Sequence, residues 1–266
     1  MISALTRFIT GIFFLGLKHY NFVQQLLRHK IQERIDWFRE VWPFQWRIAA
    51  SWLSGYFIFS LFTPVMFYYH GAKVAGQMGM TWSVISMVEM VSFAWITARI
   101  PQFGILIARR QYRELDRLFA KLFKIAVGIA ALCALGAWLV IYLLHLSDLE
   151  LGRRFLPMLP VTLFLIHRVF NVMISGMAVY LRAHKKEPMM IPSLVGAALA
   201  GTSTWLLGAS YGPTGAAAGF LAIGIIWGIP SAYYVFSTNR KRWHHSDLKS
   251  DLNNTGNEIY SAKIIN

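Results

Sequence analysis

The chain has 266 residues, of which 56% are hydrophobic and only 14% charged, and its formal net charge is +14. Apolar runs of near membrane-spanning length recur along it, which excludes an ordinary soluble domain and predicts an all-α polytopic membrane protein. In such a protein an excess of Lys and Arg belongs to cytoplasmic loops, so the basic charge predicts no nucleic-acid partner. The single cysteine, Cys133, excludes a disulfide framework.

The region before the first complete span divides into two parts. Residues 1–17 carry a short apolar stretch without a signal-peptide cleavage site, so we expect a partial membrane helix there. Residues 18–46 alternate apolar and charged side chains at helical spacing, which predicts a basic amphipathic cytoplasmic linker. Its lipid-facing side would either recognise polyanionic lipid or simply anchor the segment at the membrane surface.

Six segments are long enough to cross a bilayer as helices, since a spanning helix needs roughly 20 apolar residues. Together they form a predicted transmembrane lobe over residues 47–236. The six complete transmembrane helices are predicted at Arg47–Tyr69, Gly79–Ala98, Leu122–Leu144, Phe155–Leu181, Met189–Leu207 and Gly215–Phe236. Residues 237–266 are predicted to be a polar cytoplasmic tail, whose last stretch, residues 245–266, lacks hydrophobic periodicity and is expected to be disordered.

The connections between the spans differ in charge, and the difference predicts orientation. Six, seven, three and five Lys or Arg residues lie in Lys18–Arg47, Arg99–Lys124, Arg182–Pro188 and the tail from Ser237. The alternate loops, His70–Met78, His145–Arg154 and Gly208–Thr214, hold only three. Because positive loops are retained in the cytoplasm, the multi-pass chain should place its C-terminus there.

Two further patterns concern helix placement. The run RQYRELDRLFAKLFK, residues 110–124, is basic and amphipathic, which predicts a helix along the membrane surface in contact with membrane lipid. The pairs Gly215–Gly219 and Gly224–Gly228 match G-x-x-x-G, and Gly196–Ala200 is a related pair. Small residues at this spacing predict close helix packing, or a sliding surface in a transporter.

Two ionised side chains, Glu89 and Arg168, fall well inside the predicted spans. Counting residues from the ends of their helices places both near the middle of the membrane, so we expect them to share one level. A charge at that depth costs at least about 2.5–3.5 kcal/mol and therefore needs a partner or water.

Polar residues accompany both charges at helical spacing. Arg168 shares a face with Asn171 and Ser175, and His167 precedes Asn171 by one turn. The serines in a row with Glu89 are Ser83, Ser86 and Ser92. One interpretation is a buried Glu89–Arg168 pair that only fixes helix packing.

The other interpretation is functional. The two stripes would line a solvated cavity in which a substrate-binding set meets an anionic group and Glu89, or His167, carries a proton. The predicted substrate-binding residues are Arg168, His167, Asn171 and Ser175. No catalytic, metal-binding or cofactor motif occurs in the sequence, so we predict neither an enzyme nor a cofactor.

Three stretches resemble a bacterial family. They are SWLSGYFIFSLFTPVMFYYHGAKVAGQMGM (51–80), ITARIPQFGILIARRQYRELDRLF (96–119) and YGPTGAAAGFLAIGIIWGIP (211–230). The chain is similar over residues 42–236 to the polysaccharide-biosynthesis oligosaccharide flippases of the multidrug/oligosaccharidyl-lipid/polysaccharide exporter superfamily. The resemblance implies one lobe, the C-terminal one, of a MATE-like two-lobe transporter in the bacterial inner membrane.

The resemblance also implies a function and partners. Members turn undecaprenyl-diphosphate-linked oligosaccharide across the membrane by alternating access, for surface polysaccharides such as the O-antigen of lipopolysaccharide. One lobe cannot close such a cavity, so a first-lobe chain or a second copy is expected. The alternatives are a non-transporting fragment or membrane partner, a multidrug-type exporter, and a membrane-embedded enzyme on lipid-linked sugar, which the short outer loops disfavour.

Overall fold

The computed structural model describes Thr10, residues 36–147 and residues 149–243, and within these residues it is helical without strands. The predicted partial helix at 1–17, most of the linker at 18–46 and the tail beyond residue 243 lie outside this part. By its contacts the chain divides into two units, Met1–Pro43 and Phe44–Asn266. In the first, a π-helix over Trp37–Val41 is capped by the carboxylate of Asp36.

The helices are α1 (Trp42–Thr97), α2 (Ile100–Ala108), α3 (Tyr112–Leu146), α4 (Met158–Ala183) and α5 (Met190–Ile223), followed by a π-helix (Gly224–Gly228) and α6 (residues 229–243). In the described part, four helical stretches are long and apolar enough to cross a membrane: Ser60–Ala108, Tyr112–Leu146, Met158–Ala183 and Met190–Trp243. The predicted α-helical membrane protein is confirmed at this level.

Two of the long helices are broken at glycines. Gly71 in α1 has φ 83° and ψ 174°, and Gly212 in α5 has φ 63° and ψ −149°. Residues with a Cβ rarely adopt these angles, so glycine permits the change of direction. The predicted loops His70–Met78 and Gly208–Thr214 are wrong in extent, because the chain is helical on both sides of each break.

Replacing Gly71 with alanine should therefore destabilise the protein by about 1–3 kcal/mol, because a Cβ strains this backbone conformation. The matched control is Gly76→Ala, five residues further along α1, where an added Cβ meets no atom within 4 Å. The control should be neutral or slightly stabilising, since alanine favours a helix. Unfolding free energies in mixed micelles measure both, and equal effects would contradict the account.

We predicted a separate surface helix for the basic run at 110–124, and this prediction is wrong. The run is the first part of α3, which continues without a break to Leu146. Its apolar face is buried against the bundle at Leu115, Phe119 and Leu122, and the same face continues through small alanines. No proline or helix-ending glycine separates the charged part from the apolar part, so the helix propagates through both.

Helix α4 is the central element of the second unit. It contacts α2, α3, α5 and the π-helix, and most of its C-terminal half is buried. The helix begins at Met158 instead of the predicted Phe155, because Pro157 is extended (φ −52°, ψ 155°) and serves as the N-cap. Residues on α4 therefore meet side chains from several directions at once.

The glycines of the predicted packing motifs do lie at close helix contacts. An added Cβ at Gly224 would come within 2.8 Å of the His167 ring, and one at Gly228 within 2.9 Å of Ile174. At Gly196 it would lie 3.3 Å from the Trp227 ring. Small residues let α5 and the π-helix approach each other and α4 closely, where van der Waals contact replaces the hydrophobic effect.

Candidate functional site

The candidate site is centred on the Glu89 carboxylate of α1, which faces α4. The Arg168 guanidinium donates through Nη1 to Oε2 of Glu89, forming an ion pair. The amide Nδ2 of Asn171, one turn further along α4, donates to Oε1 at 2.9 Å. Both carboxylate oxygens are thus bound by α4, so the helices meet at the level that residue counting predicted.

An aromatic ring completes the environment of the guanidinium. The Arg168 Cζ atom lies 4.8 Å from the centroid of the Trp82 ring. Trp82 precedes Glu89 by seven residues, which is two helical turns on the same face of α1. A cation over an indole ring is stabilised by the negative face of the ring, most strongly where water is absent. Sequence reasoning missed Trp82, although its spacing from Glu89 could have identified it.

The two members of the pair differ in exposure. The Arg168 side chain is 3% exposed and the Glu89 side chain 29%. The guanidinium therefore lies inside the bundle and the carboxylate at its surface. Hydrocarbon cannot solvate an ionised oxygen, so this surface needs water or another protein against it.

The serine row beside Glu89 has a local structural role. Ser83, Ser86 and Ser92 each donate to the carbonyl four residues earlier in α1, at 2.9, 2.8 and 2.5 Å. Exposure falls along the row, since Ser83 is exposed and Ser92 buried. The hydroxyls are satisfied within their own helix and do not extend the polar site.

His167 and Asn171 line a cavity of about 170 Å³ between α4, α5 and the π-helix. His167 is buried, and its ring centroid lies 4.1 Å from that of Phe220 on α5. Gly224 leaves room for the imidazole, because an added Cβ there would meet the ring. Phe220 is a second residue that the sequence did not reveal, since the rotation of α5 about its axis cannot be read from one chain.

The predicted site residues fall into two overlapping groups. Arg168 and Asn171 bind Glu89, while His167 and Asn171 face the cavity. Asn171 belongs to both and links them. Ser175 belongs to neither group. Within the described part of the chain it does not line this cavity, and it makes no hydrogen bond to Glu89. Arg168 likewise does not line the cavity.

A second polar cluster joins the N-terminal part of α3 to the C-terminal parts of α4 and α6. The Asp116 carboxylate of α3 accepts from Tyr180 Oη of α4 at 2.7 Å and from Arg240 Nη2 of α6 at 2.5 Å. Nearby, Arg182 Nε donates at 2.5 Å to Glu187, whose side chain is fully buried. Charge-assisted, bidentate contacts of this kind hold helix ends in a fixed arrangement. Sequence reasoning missed this cluster because Arg240 was assigned to the tail.

Within residues 36–147 and 149–243, no group of three or more His, Cys, Asp or Glu side chains could hold a metal ion. The polar groups that the described residues bring to the site are a carboxylate, a guanidinium, an amide and an imidazole. Comparison with protein-family models, curated proteins and solved structures found no match to this chain.

Proposed function

We propose that this chain is one lobe of a membrane transporter that translocates lipid-linked oligosaccharide by alternating access. The observation that carries the proposal is the partly exposed Glu89 carboxylate, held by Arg168 and Asn171 near the middle of a predicted span. A two-lobe transporter supplies what this surface requires, which is a hydrated cavity between its lobes. The family resemblance over residues 42–236 supports the same function.

In this proposal two glycine-broken stretches each cross the membrane twice: α1, and the run from α5 through the π-helix into α6. The breaks at Gly71 and Gly212 divide these stretches into four spans, and α3 and α4 add one span each, which makes the six predicted spans. The charge distribution puts the Asp116–Arg240 end and the C-terminus in the cytoplasm of a bacterial inner-membrane protein. A first-lobe chain or a second copy covers the Glu89 surface and completes the cavity.

We propose that the substrate diphosphate and the Glu89 carboxylate compete for Arg168. A diphosphate is the stronger ligand for a guanidinium, because it offers more oxygens for charge-assisted, bidentate hydrogen bonds. When Glu89 takes up a proton it loses its charge, which weakens its hold on Arg168. Asn171 donates to the carboxylate now and would donate to a phosphate oxygen after the exchange.

The test is affinity measured in nanodiscs for an undecaprenyl-diphosphate oligosaccharide and for undecaprenol, the neutral lipid alcohol. The wild-type chain should bind the diphosphate lipid at least about tenfold more tightly, from one charge-assisted contact of about 1.5–3 kcal/mol. Arg168→Gln should lose this preference, and Glu89→Gln should strengthen it, because the competing carboxylate is gone.

The control for these variants is Arg154→Ala, which removes an exposed arginine between α3 and α4 and should keep the wild-type preference. Equal affinity for the two lipids would contradict the proposal. A new covalent product made from the sugar would instead identify a membrane-embedded enzyme.

A further inference from the structure

The cavity beside the ion pair extends along several turns of α5 and along the π-helix. It is lined from Met189, the N-cap of α5, through Ser193 to Ala200 on α5, and along the π-helix and α6 it reaches Ala232. At 1.5 Å per residue, Met189 to Ala200 spans about 16 Å of helix. Its inner end is at His167 and Asn171, and its other end lies beside the turn at residues 184–189.

The shape of the cavity is encoded by small residues and by the π-helix. Gly196, Ala197 and Ala200 form the wall on α5, and Gly224 and Gly228 bound the π-helix opposite. A π-helix widens the backbone by one residue per turn and often occurs at functional positions. The small residues of α5 and the glycines of the π-helix therefore both leave room for the cavity.

The cavity also has polar groups at intervals. Ser193 and Ser231 line its outer half, and His167 and Asn171 its inner end. His167 is 6% exposed and its ring nitrogens make no hydrogen bond to any described residue. Leaving a buried polar group unsatisfied costs about 1–3 kcal/mol, and a cavity of about 170 Å³ holds several waters.

We propose that this cavity is a water-filled route that connects the Glu89–Arg168 pair to the membrane face carrying residues 184–189. Asn171 joins the route to the pair, since it lines the cavity and donates to Glu89 at 2.9 Å. The charged groups facing His167 are Arg168 on its own helix and Glu89 beyond Asn171. The lining residues of α5, the π-helix and α6 include no titratable side chain.

The inference rests on the proposed function in one respect, because the water would deliver the proton that releases Arg168. We infer that its occupant is water and not a lipid chain, since polar groups occur along its length and its inner end holds an imidazole and an amide. Protons move along hydrogen-bonded water and polar side chains, and His167 is the ionisable group on the route.

The experiment uses cysteine accessibility in a Cys133→Ser background, which removes the one native cysteine. Ser193→Cys and Ala197→Cys place thiols on the route. Their matched controls, Leu194→Cys and Ala198→Cys, are the next residues along α5 and are exposed on the outside of the bundle. Only a hydrated thiol ionises and reacts with a methanethiosulfonate reagent.

Both route variants should react at least about tenfold faster than their controls, and an impermeant reagent should act only from the face carrying residues 184–189. Equal rates in route and control variants would overturn the inference, because a packed or lipid-filled cavity excludes the reagent. Hydroxyl-radical footprinting of the unmodified chain gives a second measurement. Buried Met189 on the route should oxidise faster than buried Met66 in the core, and equal oxidation would also overturn the inference.

The labelling experiment tests the water route independently of the proposed substrate. Labelling and footprinting need no lipid-linked sugar, so a hydrated route with no diphosphate preference would reject the proposed function and keep the route. A diphosphate preference without selective labelling would reject the route and keep the function.

Discussion

Glu89→Leu is expected to destabilise the protein by about 3–5 kcal/mol, because it leaves the buried Arg168 guanidinium without its ion-pair partner. Arg168→Leu should cost less, and the difference follows from exposure. Arg168 is 3% exposed and stays charged, so without Glu89 it is left as an isolated charge inside the bundle. Glu89 is 29% exposed and can keep contact with polar surroundings, so the loss of Arg168 leaves a milder defect.

The double variant Glu89→Leu/Arg168→Leu should recover much of the loss, because two apolar side chains of similar size can replace a buried pair without strain. The measurement is the unfolding free energy in mixed micelles across the double-mutant cycle. Glu114→Leu is the control, since that carboxylate is exposed on α3 and should change stability little. Equal costs for the two single variants, or a double variant no better than Glu89→Leu, would contradict this explanation.

Phe62→Ala is expected to have the second largest effect, about 3 kcal/mol. Phe62 is 1% exposed, and its ring centroid lies 5.2, 5.4 and 5.1 Å from those of Trp82, Phe164 and Phe220. Truncation leaves a cavity among three rings. The value lies at the low end for Phe→Ala, because lipid reduces the hydrophobic part of the cost.

The effect should extend to the site, since Trp82 also lies against the Arg168 guanidinium and Phe220 against His167. Phe67→Ala is the control, because Phe67 is on the same helix and is 60% exposed. Phe62→Leu should recover part of the stability by filling part of the space. The same micelle titration measures all three, and a Phe62→Ala protein as stable as Phe67→Ala would show that the aromatic cluster does not stabilise the bundle.

The helical character and the shared level of Glu89 and Arg168 were predictable from the sequence, for a physical reason, and their pairing was one of two interpretations. Hydropathy locates the spans, and a fixed rise per residue then gives each charge a depth, so two charges at one depth can meet. Which of them faces outward was not predictable. That depends on how far each helix is rotated about its axis, and one sequence carries no information on the helix opposite.

The errors have similar causes. Hydropathy reports where polarity rises, so it overestimated the loops around Gly71 and Gly212, where the backbone breaks only at the glycine. The charges at 110–124 suggested a separate surface helix, yet the apolar face of Leu115 and Phe119 packs in the bundle as part of α3. The partners of Asp116 and His167 come from distant helices, which periodicity within one helix cannot reveal.

We propose that the substrate diphosphate and the Glu89 carboxylate bind Arg168 in turn, with a proton neutralising Glu89 when the diphosphate binds. Proton uptake during binding measures this exchange directly. Calorimetric titration of the nanodisc-embedded chain with undecaprenyl-diphosphate oligosaccharide, in two buffers of different ionisation enthalpy, gives the protons taken up per chain. We expect about one proton to be taken up on binding by the wild-type chain. We expect about none for Glu89→Gln, because glutamine has no carboxylate to protonate. Binding without proton uptake in the wild-type chain, or with the same uptake in both proteins, would contradict the exchange.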